Sequence, residues 1–298
     1  MLNQISDHVW YLPKDGEKHR PALGYVCGGT KSMIVNTGNS PEHLSEFYGM
    51  GRMQNLPDPE FAAVTDWQWT HVFGMTATPA KTIAGNLTND RLLTMQRWDW
   101  SDATLNSRVA AGLEIPAFAE AIKHEVPMRY SFKVRTADIT YCHHMAVRLD
   151  DIHVDLVHVG GPHSEDCTVA YIPSDKVLFL GNCYCENVYV GGGAIRLEDM
   201  KQLLATLDSF DAETFIPSED EPMSKSDFMK AMDVAVKVGE LVGDANDLQD
   251  GKERVVNGLG RPLDEREFYY VRSFVTGNRH TRSNNYPVMT EEQDNTAM

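Results

Sequence analysis

Short apolar runs with polar neighbours give two parts of the chain a strand pattern, and a mainly helical stretch separates them. Residues 8–13 predict a first strand, and residues 22–38 predict two more strands joined at a Gly-Gly turn. Residues 140–149 and 152–159 alternate apolar and polar side chains, as half-buried strands do. The pattern therefore predicts two β-rich regions with helices between them.

Capping residues and apolar stripes indicate the helices. Ser40 is a candidate N-cap for a helix over Pro41–Met50. The stretch Val72–Ala84 is also compatible with a helix. A third helix is predicted over Leu197–Phe210, because its leucines and a methionine recur at helical spacing and form one apolar stripe.

The central stretch, about residues 98–125, predicts a helical insertion. Ser101 is a candidate cap at its start, and Pro116 interrupts it, because proline removes a backbone donor and clashes with the preceding turn. The insertion carries no recognisable catalytic pattern of its own.

The C-terminal part predicts further helices and then a polar tail. Ser224 begins a capping box for a helix that runs to about Val242 and ends at Gly243. A polar, Asp-rich connector then leads to a helix over Asp264–Val275. The tail Thr276–Met298 is polar and is expected to be loosely ordered.

Residues 64–74 follow a short apolar run and carry the most informative sequence, Val-Thr-Asp-Trp-Gln-Trp-Thr-His-Val-Phe-Gly. This segment resembles the signature of the metallo-β-lactamase superfamily, Thr-His-x-His-x-Asp-His followed by an apolar pair and Gly. Asp66 and Gln68 stand at the two first His positions, and Thr70 stands at the Asp position. His71 alone matches the signature.

Two further segments are similar to elements of the same superfamily. Residues 34–38 read Ile-Val-Asn-Thr-Gly and resemble its Ile-Asp-Thr-Gly element, with Asn36 in place of an Asp that supports the metal loop. Residues 160–182 contain a Gly-Pro-His-Ser loop, a strand, a turn and an apolar strand, as the second metal-binding module does. There His163 matches the ligand His, and Asn182 stands at the place of the Asp that bridges two metals.

A fourth element, residues 213–222, resembles the last one of the superfamily, and Glu219 stands at its His position. The four elements occur in the family order within residues 8–242. The resemblance therefore implies an α+β or α/β fold, namely a four-layer αββα sandwich. We predict that this domain spans residues 1–243, and that residues 244–298 form a C-terminal helical extension with its polar tail.

The exchanged residues change the expected chemistry. The superfamily site holds two zinc ions with five His and two Asp, whereas this chain offers two His and two carboxylates. Neutral oxygens are weak zinc ligands, and without a bridging carboxylate two metals have little to hold them together. We expect at most one divalent ion, which could be zinc, manganese, magnesium or calcium, or no ion. The candidate ligands are Asp66, His71, His163 and Glu219, with Gln68, Thr70 and Asn182 at substituted positions.

Three functions are compatible with these residues. In the first, one ion polarises a carbonyl or activates water, and the protein is a hydrolase of a small molecule. In the second, the protein is catalytically inactive and metal-free, and it binds or senses a small molecule. In the third, Asp66 pairs with His71 or His163 as a metal-free acid–base catalyst, so these three residues are the catalytic candidates.

Net charge and composition disfavour nucleic acids and membranes as partners. The 298 residues include 27 basic and 43 acidic side chains, a formal net charge of −16. Such a charge disfavours nucleic acid and anionic membranes, because phosphate binding is driven by Lys and Arg. We see no signal peptide and no apolar run of about 18 residues, the minimum for a transmembrane helix.

Five cysteines without framework spacing indicate reduced thiols and predict a cytoplasmic protein. Cys183 and Cys185 form a Cys-x-Cys pair, which could bind a soft metal as thiolates. The more common interpretation is a pair of small apolar residues at the end of a strand.

Overall fold

The computed structural model describes residues 1–280 and contains two β-sheets. The first sheet has seven strands, whose spatial order follows the chain. They are β1 (Asn3–Gln4), β2 (Val9–Leu12), β3 (Leu23–Cys27), β4 (Ser32–Val35), β5 (Phe61–Ala63), β6 (Lys81–Gly85) and β7 (Ile139–Tyr141). Neighbours from β1 to β4 pair antiparallel, and those from β4 to β7 pair parallel.

The second sheet has six strands in the order β13-β12-β11-β10-β9-β8. They are β8 (His144–Leu149), β9 (Ile152–His158), β10 (Thr168–Ile172), β11 (Val177–Gly181), β12 (Thr214–Pro217) and β13 (Met223–Ser224). Only β11 and β12 pair parallel, because the chain leaves the sheet between them to form a helix.

The helices divide into two groups along the chain. The first group contains α1 (Pro41–Met53), α2 (Trp69–Val72), α3 (Asn86–Met95), α4 (Asp102–Ala110) and α5 (Pro116–Glu125). The second group contains α6 (Leu197–Asp208), α7 (Lys225–Val242), α8 (Leu248–Leu259) and α9 (Glu265–Arg279). No helix within residues 1–280 is long and apolar enough to cross a membrane.

Apolar side chains from both sheets meet in a shared core, which includes Val35 and Ile83 from the first sheet and Leu156 and Phe179 from the second. The first group of helices covers the outer face of the first sheet, and the second group covers the outer face of the second sheet. The four-layer αββα sandwich expected from the sequence is therefore confirmed.

The capping serines stabilise the helix starts that the sequence indicates. The Ser40 hydroxyl accepts a hydrogen bond from the His43 amide at 3.1 Å, and the Ser224 hydroxyl accepts one from the Asp227 amide at 3.0 Å. Each bond satisfies a backbone donor that has no partner in the first helical turn. Ser101 caps α4 in the same way.

The helical interpretation of Val72–Ala84 is wrong beyond its first turns. The helix α2 ends at Val72, a 3₁₀ segment covers Phe73–Ala77, and the chain then enters β6. The strand β6 inserts between β5 and β7, so pairing on both sides outweighs the weak local preference for helix.

The Asp-rich connector contains a helix that the sequence reading missed. Asp247 caps α8 by accepting hydrogen bonds from the amides of Gln249 and Asp250. Its sequence is mostly polar, and Gly251 and Val255 are its buried residues. The polar tail was also predicted to begin too early, at Thr276, because α9 continues to Arg279. The rest of the tail lies outside the described residues.

The helices α8 and α9 belong to the same core as the second sheet. Val255 and Phe274 pack in one apolar cluster with Leu178 and Leu203. Gly277 in α9 lies so near the Ile195 carbonyl that an added Cβ would be 2.0 Å from its oxygen. The helices after residue 243 therefore pack directly on the domain, and the domain boundary there stays a prediction.

Candidate functional site

The loop between β5 and α2, residues 64–68, is held by the segment that follows β4. The Asn36 side-chain oxygen accepts hydrogen bonds from the Thr65 amide at 2.9 Å and the Thr65 hydroxyl at 3.1 Å. The Thr37 hydroxyl donates to the His71 carbonyl at 2.7 Å. Asn36 adopts a φ of 64°, a left-handed conformation that asparagine tolerates better than most residues. These contacts fix where the side chains of the loop point.

Asp66 and His71 form a buried pair at the base of this loop. The Asp66 Oδ2 atom lies 2.9 Å from His71 Nδ1, and the two side chains are 1% and 0% exposed. The other carboxylate oxygen, Oδ1, accepts from the Gln68 amide at 2.9 Å. Both oxygens of Asp66 are therefore engaged within the protein.

The contact between Asp66 and His71 fixes the charge of Asp66 and the tautomer of His71. Burial alone would raise the pKa of Asp66, but the charge and hydrogen bond of His71 outweigh burial and lower it. An ionised carboxylate can only accept hydrogen bonds, so His71 Nδ1 carries the hydrogen. The opposite nitrogen, Nε2, is buried and has no hydrogen-bond partner in the described part of the chain.

Gln68 and Asn182 stand at positions of metal ligands in the family signature, and here they bond to each other. The Asn182 amide donates to the Gln68 side-chain oxygen at 2.6 Å. Among residues 1–280, the buried Asn182 Oδ1 and the buried hydroxyl of Thr70 have no hydrogen-bond partner. The wall of the site thus carries polar atoms that the protein itself leaves unsatisfied.

His163 lies on the loop between β9 and β10. Its Nδ1 atom is 3.0 Å from the Glu186 carbonyl oxygen, which can only accept, so Nδ1 donates. Burial lowers the pKa of His163 and favours the neutral ring. Gly161 lets this loop approach β11, because an added Cβ there would lie 2.3 Å from the Cys183 carbonyl oxygen.

Asp166 is a buried residue that the sequence reading missed. Its Oδ2 atom accepts from the Trp67 amide at 3.0 Å and the Thr88 hydroxyl at 2.8 Å, and the Ser164 hydroxyl donates to Oδ1. Burial and the nearby charge of Asp66 raise the pKa of Asp166 to about 7. Asp166 ties the His163 loop to the Asp66 loop, and only its place three residues after His163 could have signalled it.

A cavity of about 680 Å³ opens beside these loops. The second group of helices contributes Met232 from α7 and Arg266, Tyr269 and Tyr270 from α9, and the insertion contributes Phe118. These wall residues carry no family signature, so sequence reasoning could not find them. The helical insertion does reach the cavity, and so does the C-terminal extension.

The structure brings the expected site residues together around this cavity, although not in equal roles. Five of them line it, namely Gln68, Thr70, His163, Asn182 and Glu219. Asp66 and His71 lie buried behind that wall, where their charges act on His163. Glu219 is exposed at the mouth of the cavity, and its surroundings still raise its pKa by desolvation.

These residues do not fit the zinc centre that the family resemblance implies. No group of three or more His, Cys, Asp or Glu side chains within residues 1–280 is arranged to hold a metal ion. Asp66 is bonded to His71 and Gln68, and the Gln68 oxygen is bonded to Asn182. Neutral amide and hydroxyl oxygens then remain beside the imidazoles, and they are poor zinc ligands.

The cysteine pair is a poor alternative set of metal ligands. Burial raises the pKa of both Cys183 and Cys185 well above that of a free thiol, which disfavours the thiolate form that binds a metal. Cys183 packs instead in the apolar core of the second sheet, as expected for a small residue at the end of a strand.

No family model and no curated protein matches the sequence. Solved structures do match the fold. A metallo-β-lactamase from Pontibacter korlensis shares 17% identity at a TM-score of 0.51, over 76% of this chain and 94% of that one. TMB-1, described in connection with substrate and inhibitor binding, shares 16% identity at a TM-score of 0.51, over 76% and 92%. The chain is therefore a divergent protein with the metallo-β-lactamase fold.

Proposed function

We propose that the protein binds a small molecule in this cavity and that binding needs no metal ion. The observation that carries the proposal is that two residues of the cavity wall, Thr70 and Asn182, each hold a buried polar atom without a hydrogen-bond partner within residues 1–280, Oγ1 and Oδ1 respectively. A buried polar group without a partner costs about 1–3 kcal/mol. A ligand that supplies the missing hydrogen bonds recovers that free energy, so the wall favours an occupied cavity.

Hydrolysis at one bound ion is less well supported by the contacts. The Asp66 Oδ2 and Gln68 Oε1 atoms each already accept a hydrogen bond of 2.9 Å or shorter, and this bond competes with an ion for these oxygens. Glu219, the remaining carboxylate among the candidate ligands, is an exposed residue, although the charge of His71 acts on it. The Asp66 and Gln68 oxygens are thus engaged by protein partners, whereas His71 Nε2 has no hydrogen-bond partner within residues 1–280.

Acid–base catalysis by Asp66 and His71 is also less well supported. The bond between them resembles a catalytic pair, but His71 is 0% exposed. A general base must reach the proton that it abstracts, directly or through one water. His71 sits behind the residues that line the cavity, so it is better placed to orient the wall than to touch a substrate.

Binding can be tested with a cavity-filling variant. We would screen chelator-treated protein by ligand-observed NMR against a library of neutral, cationic and anionic fragments. Ala231 lines the cavity from α7, and Ala231→Trp should abolish binding of the fragments that the parent protein binds. Lys237→Trp on the exposed side of the same helix is the matched control and should leave binding unchanged.

Two results would contradict the proposal. In the first, fragments bind only after zinc or manganese is restored, which would favour a metal-dependent site. In the second, the same fragments bind equally well to Ala231→Trp, which would place the binding site outside this cavity.

A further inference from the structure

Three side chains at the cavity wall offer hydrogen-bond acceptors. His163 donates through Nδ1 to a carbonyl, so the Nε2 atom of its neutral ring carries a lone pair and no hydrogen. The Asn182 amide donates one of its two hydrogens to Gln68, and its Oδ1 atom is an acceptor without a partner within residues 1–280. The Thr70 hydroxyl can accept as well as donate. A ligand that satisfies this wall has to bring several hydrogen-bond donors.

The charged side chains at the mouth of the cavity also favour a ligand that donates hydrogen bonds. The carboxylates of Glu186, Glu219 and Asp220 line the cavity, and Arg266 is the basic residue among its lining side chains. Arg266 donates to the Ala231 carbonyl at 3.0 Å and lies over the ring of Tyr270, so it is held against the wall. The ionised Asp66 adds a buried negative charge behind the wall. Lys14 acts on Glu219 and Arg272 acts on Glu186 from outside the lining, but the lining itself holds more carboxylates than basic groups and therefore favours a cation.

The rest of the cavity lining includes aromatic and apolar side chains. Tyr184, Tyr269 and Tyr270 line the cavity, together with Phe118 and Met223. The Tyr184 hydroxyl donates to Asp220 at 2.8 Å, which fixes that ring at the mouth. Aromatic faces attract cations and pack against apolar groups. The ligand should thus combine a charged head with an apolar body.

We propose that the ligand is an organic primary ammonium ion with an apolar or aromatic body, whose N–H groups donate to His163, Asn182 and Thr70. An ammonium group presents three donors, and the acceptors at the wall supply partners for them. This inference rests on the proposed function, because it names the class of molecule that the cavity binds. It adds to the proposed function that the ligand is positively charged, which gives the acidic residues at the mouth of the cavity a role in binding.

A matched set of probes tests the charge. We would measure by calorimetry the binding of 2-phenylethylamine, 2-phenylethanol and phenylacetate to chelator-treated protein at neutral pH, where these probes are a cation, a neutral molecule and an anion. The amine should bind at least about tenfold more tightly than the alcohol, the factor expected for hydrogen bonds to a charged donor. Phenylacetate should bind more weakly than either.

Three variants locate the effect. Glu219→Gln removes one charge at the mouth and should weaken amine binding several-fold more than it weakens alcohol binding. Asp233→Asn removes an exposed carboxylate of α7 outside the cavity and should alter neither. Ala231→Trp should abolish amine binding.

The results separate this inference from the proposed function. If the alcohol or the carboxylate binds as tightly as the amine and Ala231→Trp abolishes that binding, the cation preference is wrong and the binding function stands. The same holds if the probes fail but library fragments bind in the cavity. If neither probes nor fragments bind the metal-free protein, both proposals are overturned.

Discussion

At the scale of single residues, the exchanges at the family positions compensate one another. Asp66 replaces an imidazole and pairs with the retained His71. Gln68 and Asn182 replace a histidine and a carboxylate, and they form a neutral hydrogen bond of 2.6 Å. A cluster of ligands without its metal would contain like groups that repel or compete. Here the side chains at these positions supply partners for one another within the protein.

The buried pair should contribute strongly to stability. Asp66→Asn removes the negative charge but keeps the shape of the side chain, and it leaves His71 without its charged partner. Breaking a buried pair by removing one member costs about 3–5 kcal/mol, so we expect a loss in the free energy of unfolding near the lower end of that range. Urea unfolding at neutral pH measures it, and Asp233→Asn on the surface is the control. Unchanged stability in Asp66→Asn would mean that the pair is a relic.

Glu114 should make stability depend on pH. Its side chain is 7% exposed, and burial raises its pKa from 4.5 to about 7. A raised carboxyl pKa means that the folded state holds the proton more tightly than the unfolded state. The contribution to stability is therefore complete below pH 4.5 and is lost as the pH rises through about 7.

Between mildly acidic and mildly alkaline pH this loss should amount to about 2–3 kcal/mol, from 1.36 kcal/mol per pKa unit. Glu114→Gln stays neutral at every pH and should flatten the profile of unfolding free energy by that amount. Urea unfolding of both proteins from pH 5 to pH 8.5 measures the difference. Parallel profiles would show that Glu114 does not titrate in this range.

At the scale of elements, the sequence predicts those whose signal is local. The caps at Ser40, Ser101 and Ser224 and the apolar stripe of α6 depend on neighbours within a few residues, and these helices form where expected. The strand β6 has no such local signal, because its partners β5 and β7 lie far away in the chain. The helix α8 was missed because its polar surface resembles a connector.

The packing of α9 on the domain depends on a helical glycine. Gly277→Ala places a Cβ 2.0 Å from the Ile195 carbonyl oxygen, so α9 would have to move away, and we expect a loss of unfolding free energy of about 2 kcal/mol, as for other overpacked sites. Gly49 in α1 has open space around it, so Gly49→Ala should gain up to about 1 kcal/mol from helix propensity. Thermal unfolding of both variants compares them. A stabilised Gly277→Ala protein would contradict the close packing of α9.

At the scale of the whole molecule, the fold and the position of the site follow from four short segments in family order. The shape of the cavity could not be predicted from these segments. Tyr269 and Tyr270 line it from α9, about two hundred residues after the Asp66 loop, and no sequence pattern links the two regions. The exchanges at Asp66, Gln68 and Asn182 change both the charge of the site and its hydrogen bonds. The resulting account is a metallo-β-lactamase fold with a cavity that binds its ligand without a metal.

Metal content tests this account most directly. The protein would be produced in medium supplemented with zinc and manganese, purified without chelator, dialysed and analysed by inductively coupled plasma mass spectrometry. Because Asp66, Gln68 and Asn182 are bonded to protein partners, we expect every divalent metal well below one ion per chain. One or more ions per chain that survive dialysis would contradict the account and restore the metal-dependent hydrolase as the leading hypothesis.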